Sequence, residues 1–116
     1  MFKQKARITH VLHELLHYAL EAKTSRLVVT IEELDDQVHL TVEETGIPAT
    51  PKQIRQANQL LNAPERSELS DYYSGLAGEE TCTVCDLRVV ALMVDGGHVE
   101  ASDTGTRIRV WWRQVS

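Results

Sequence analysis

The sequence of 116 residues contains only two cysteines, Cys82 and Cys85. Two thiols cannot build a disulfide framework, which excludes a stapled secreted mini-domain. A chain of this length can bury a single core without such staples. No run approaches the roughly 20 apolar residues of a membrane helix. The start, Met1-Phe2-Lys3-Gln4-Lys5, leads straight into a helical pattern and not into a signal-peptide core. Basic residues are also in deficit: 12 Lys+Arg stand against 17 Asp+Glu, a formal charge of −5. Nucleic acid and anionic membranes need Lys and Arg to neutralise phosphate, so neither is expected as the main partner. There is no internal repeat and no low-complexity tract. The expectation is one domain over residues 1–116, soluble and cytoplasmic, or a domain cut from a longer protein.

What is present is ordinary globular composition, 42% apolar and 25% charged. Ile8, Val11, Leu12, Leu15, Leu16, Ala19 and Leu20 recur at helical spacing and predict a helix over residues 7–23. His10, His13, Glu14, His17 and Glu21 occupy the opposite face. Residues 27–33 and 38–43 alternate as strands joined at Asp35-Asp36. Thr50-Pro51-Lys52-Gln53 reads as a helix start, because Thr caps, Pro is preset for the first turn and Gln completes a capping box. That helix runs to about Asn62.

Residues 63–81 (APERSELSDYYSGLAGEET) form a long polar loop, the length of a functional lid. A third helix is predicted over 82–95, apolar from Val89 to Val94 and expected to be the most buried. Gly96-Gly97 reads as its stop. Strands over 98–102 and 106–113 follow, joined at Asp103-Thr104-Gly105. This order predicts a two-layer α/β (α+β) sandwich, with helices on one face of a mostly antiparallel mixed sheet.

The order and several local motifs resemble the ATP-binding domain of histidine kinases and their relatives, the GHKL superfamily with the Bergerat fold. The resemblance covers about residues 8–113. The family's first motif, Asn/Glu-x-x-x-Asn-Ala, corresponds to Glu14-Leu15-Leu16-His17-Tyr18-Ala19. Its Asp-x-Gly-x-Gly motif corresponds to Glu44-Thr45-Gly46-Ile47-Pro48. The apolar helix, Gly-Gly, strand, Gly-Thr turn and last strand correspond to Leu87–Val94, Gly96-Gly97, His98–Ser102, Gly105-Thr106 and Ile108–Trp112. The resemblance implies ATP or ADP with magnesium as ligand. It places Glu14, Tyr18, Glu44 and Gly46 around the nucleotide, with Glu14 where some family ATPases keep a water-activating base.

The departures are as informative. Tyr18 stands where the family's Asn holds magnesium, and a phenol is a poor ligand for a hard cation. Glu44 replaces the Asp that receives the adenine amino group and is one methylene longer. Pro48 replaces a glycine and removes an N–H. Cys82-Thr83-Val84-Cys85-Asp86-Leu87 takes the place of the glycine-rich phosphate loop, with Gly75-Leu76-Ala77-Gly78 upstream as a substitute on another path. The separate helical hairpin with a phosphoacceptor His is not in this stretch, so autophosphorylation by this chain alone is not expected.

Other readings compete. His13-Glu14-Leu15-Leu16-His17 is a literal His-Glu-x-x-His, as in zinc peptidases, where His13 and His17 would bind zinc and Glu14 would polarise water. Only about nine residues precede that helix, and no downstream Gly-x-x-His supplies a third ligand. A solvated polar face, or adventitious metal binding along His10, His13 and His17, explains the same residues. Cys82-x-x-Cys85 reads as a redox pair, as half a zinc site, or as two small residues at a helix start. Trp111-Trp112 should place one ring in the core and one outside. Tyr72-Tyr73 in the lid serve as packing or as a contact surface.

The leading expectation is a histidine-kinase-type signalling or regulatory domain whose ATP site is weakened or lost. It would act by protein interaction or self-association, with the partner on the lid or helix face. The alternatives are a functional ATP/ADP binder with unusual site residues and a small zinc peptidase.

Overall fold

Helix α1 (Lys5–Glu21) forms where apolar residues recur every three to four positions. Ile8, Val11, Leu15 and Ala19 are buried, while His10, His13 and His17 lie on the exposed face. The computed structural model describes residues 4–21, 24–62 and 83–114, with Glu21 and residues 83–86 as backbone alone. Among these residues no helix is long and apolar enough to cross a membrane.

Strands β1 (Thr24–Leu34) and β2 (Gln37–Gly46) pair antiparallel across Asp35-Asp36. Asp35 takes a left-handed φ of 57°, which a short polar side chain tolerates better than a branched one. Helix α2 (Pro51–Leu61) begins with the expected capping box: the Gln53 N–H donates to Thr50 Oγ1 at 3.2 Å, and the Thr50 N–H donates to Gln53 Oε1 at 2.9 Å. Helix α3 (Thr83–Ala91), β3 (Gly96–Ala101) and β4 (Gly105–Arg113) complete the order.

The sheet runs β1-β2-β4-β3. All three pairings are antiparallel, so among the described residues the sheet is not the mixed one the sequence suggested. Its inner face carries Val38, Leu40 and Val42 from β2, Ile108, Val110 and Trp112 from β4, and Val99 from β3. The helices cover that face only. α3 packs between α1 and α2, and α2 lies against β3. The result is the two-layer α+β sandwich expected of the resemblance.

Two expectations for the third helix need correction. It stops at Ala91 in a tight turn, with the Met93 N–H donating to the Val90 carbonyl at 2.8 Å. Leu87, Val90 and Ala91 are buried and Arg88 and Val89 half-buried, so among the described residues it is the most buried helix, as expected; Leu92, just beyond it, is 59% exposed. Gly96-Gly97 do not end it either. Both lie in β3 and neither has positive φ. Their need for hydrogen is steric: a Cβ on Gly96 would come within 2.8 Å of the Trp111 ring, and one on Gly97 within 2.9 Å of Leu61. As expected, Trp112 is buried. Trp111 lies on the open face, stacked on His39 with ring centroids 6.1 Å apart.

The β3 edge is closed by side chains. Asn58 Nδ2 donates to the Val99 carbonyl at 2.9 Å, and the Val99 N–H donates to Asn58 Oδ1 at 2.8 Å. One turn later Asn62 repeats the pattern on Gly97, at 2.8 and 3.2 Å. Two carboxamides thereby stand in for a neighbouring strand. Replacing Asn58 with Ala leaves a partly buried N–H and C=O without their partner. The expected cost is roughly 1–3 kcal/mol, measured as a lower midpoint in urea unfolding with an unchanged slope.

Candidate functional site

At one end of the sheet the second half of α1, the start of β1 and the end of β2 converge on Glu44. The alternation that turns Val38, Leu40 and Val42 inward continues two residues further and turns Glu44 inward too. It is 7% exposed, opposite Leu27 on β1 and Thr106 on β4. Burial pushes its carboxyl above the usual glutamate range, and a hydrogen bond with the Thr24 side chain acts against that shift. The Thr24 hydroxyl is also 3.2 Å from the Ala19 carbonyl. Its single proton therefore serves two acceptors, and it satisfies Glu44 only in part.

Tyr18 approaches the same carboxyl from α1. Burial pushes its phenol upward, and the charge of Glu44 adds to that. Glu14 lies one turn earlier on α1, with its side chain 18% exposed and a carboxylate oxygen 3.7 Å from His10 Nε2. Gly46 closes the end of β2. Its N–H donates to the Thr104 carbonyl at 2.8 Å, which ties this end to the β3–β4 turn. The structure therefore brings Tyr18 within electrostatic reach of Glu44, with Gly46 two residues along β2 and Glu14 one helical turn before Tyr18.

The remaining candidates fare differently. Gly75 and Gly78, the 63–81 lid with Tyr72 and Tyr73, and Cys82 lie outside the described residues; Cys85 is placed as backbone alone. His13 and His17 sit on the exposed face of α1. Among the described residues no group of three His, Cys, Asp or Glu side chains is placed to hold a metal ion.

Sequence reading missed two threonines. Thr24 reaches Glu44 from a strand start whose pairing shifts register between Thr24 and Arg26. Thr106 is buried, and its Oγ1 accepts from the Ala49 N–H at 3.1 Å, which pins the loop before α2 to β4. Its signal was the Gly105-Thr106 pair. Gly105 is compulsory there, because an added Cβ would run into the Glu44 carbonyl oxygen. A polar cleft of about 310 Å³ passes this end between Glu43, Glu44 and Thr45 on one side and Ser102, Thr104 and Thr106 on the other.

Because folding raises the Glu44 carboxyl, the folded state binds the proton more tightly than the unfolded chain. This contribution to stability is full below the ordinary glutamate range and is lost as pH rises through the folded value. Glu44→Gln removes the buried charge and keeps the shape. Its melting temperature relative to the parent should be highest at pH 7 to 8 and the difference should shrink toward pH 4, read by circular dichroism melts across that range.

No curated protein gives a significant match to the chain. The family model for histidine kinase-, DNA gyrase B- and HSP90-like ATPases matches residues 3–116, nearly the whole length. The matched span holds the helix-on-sheet layering together with Glu14, Tyr18, Glu44, Gly46 and the Gly105-Thr106 turn. The chain therefore belongs to the histidine kinase-, DNA gyrase B- and HSP90-like ATPase family.

Proposed function

We propose that this domain is a cytoplasmic signalling or regulatory module of the family whose ATP site is weakened or lost, and that it works through protein contacts. The observation that carries this reading is the engagement of Glu44. The carboxyl that would receive the adenine amino group is buried and hydrogen-bonded by Thr24, with the Tyr18 phenol within reach of its charge. A base arriving there would compete with Thr24 for that carboxyl.

The donor set argues the same way. Magnesium prefers hard oxygen ligands, and Tyr18 offers a neutral phenol whose ionisation is pushed further from neutral pH. Pro48 supplies no N–H to the loop after β2. Among the described residues, Tyr18, Glu44 and Pro48 thus do not fit ATP or ADP with magnesium. The net charge of −5 adds nothing to balance a triphosphate.

The test is a thermal melt of metal-free protein with and without millimolar Mg·ATP or Mg·ADP, repeated with zinc. A ligand at 100 times its dissociation constant stabilises by roughly 2.7 kcal/mol, which moves a domain of this size by several degrees. No shift is expected with either nucleotide or with zinc. A nucleotide shift abolished by Glu44→Ala would establish a functional binder instead. A zinc shift lost in His13→Ala would revive the peptidase reading.

A further inference from the structure

The two edges of the sheet are treated differently. On β3, Asn58 and Asn62 occupy the outward N–H and C=O groups of Gly97 and Val99. On β1, no strand pairs with the outer edge among the described residues. That edge is eleven residues long (TSRLVVTIEEL) and contains neither proline nor lysine; its charges are Arg26, Glu32 and Glu33, and its one irregularity lies at its start, between Thr24 and Arg26. Its pairing with β2 is regular from Arg26 to Leu34. Its apolar side chains are also incompletely covered: Val28 is 40% exposed, Val29 37% and Leu34 45%.

We propose that the β1 edge is a homodimer interface, in which β1 of a second copy pairs with it antiparallel about a two-fold axis at Val29. The register follows from the sequence. A two-fold axis normal to the sheet keeps inner residues opposite inner residues, so only registers centred on a residue preserve the faces. Centred on Val29, the inner face sets Leu27 against Ile31 of the second copy and Val29 against Val29. The open face sets Arg26 against Glu32 and Val28 against Thr30. Centring on Thr30 instead places Leu27 against Glu33 and Val28 against Glu32. Centring on Val28 places Arg26 against Thr30 and Glu32 against Thr24. Of these registers only the Val29 one pairs opposite charges while keeping Leu27, Val29 and Ile31 of the inner face together, and the two-fold repeats each pair.

The assembled sheet would have eight strands, with the Asn-closed β3 edges at its two ends. Such a pairing closes after two copies, since β3 offers no free edge for a third. This proposal deepens the interaction part of the proposed function, and its readout is mass in solution, which does not depend on whether nucleotide binds.

The test uses the full chain in sedimentation velocity or light scattering at low salt, over micromolar to several hundred micromolar concentrations. The parent is expected to be dimeric at the upper end. Arg26→Glu and Glu32→Arg each place like charges opposite one another at both ends of the interface. Each should weaken dimerisation by about tenfold or more. Mixing the two single variants should restore a heterodimer, and the double variant should restore the homodimer. Both residues are exposed on the open face, so melts of the single variants should match the parent monomer. A parent that stays monomeric throughout overturns the proposal. So does a dimer that neither single substitution weakens, or one that the mixture does not restore.

Discussion

The strict alternation of β2 is the constraint on which the rest of the molecule depends. This central strand pairs with β1 on one side and β4 on the other, and its inward residues Val38, Leu40 and Val42 form the floor on which α1 rests. A one-residue slip would send all of them to solvent. The same period commits Glu44 to the interior. The chain cannot keep its core in register and also leave that carboxylate in water. The chemistry at the end of the sheet is therefore a consequence of the packing in its middle.

Given an inward carboxyl, what surrounds it decides its use. In this chain Thr24 hydrogen-bonds it, Tyr18 lies within reach of its charge, and burial holds the group toward its protonated form. A family ATPase site presents such a group to a ligand, whereas the proposed reading has it engaged in internal contacts. On that reading the fold is kept and the surfaces carry the function. The contrast between the edges fits this view. α2 devotes two of its side chains to closing β3, while β1 is left long, regular and partly apolar.

How far the sequence speaks depends on the range of the contact. The start of α2 was legible because Thr50, Pro51 and Gln53 make a signal within four residues. The inward face of β2 was legible because period two is local. The resemblance located Tyr18 and Glu44, and the structure places them together. Gly96-Gly97 misled because their demand comes from Trp111 and Leu61, residues distant in the chain. The same holds for Thr24, whose contact with Glu44 arises through a shift of register at the start of β1. The exposure of Val29, on the inner face, depends on where α1 stops covering the sheet, which periodicity cannot state.

The central claim is that the nucleotide position is filled by the chain's own side chains. The most direct measurement is a nuclear magnetic resonance titration with Mg·ADP, following the backbone amides of Glu44, Thr45 and Gly46 and the ring of Tyr18. No saturable shift is expected at these positions into the millimolar range. Saturable shifts confined to them, at micromolar ligand, would contradict it.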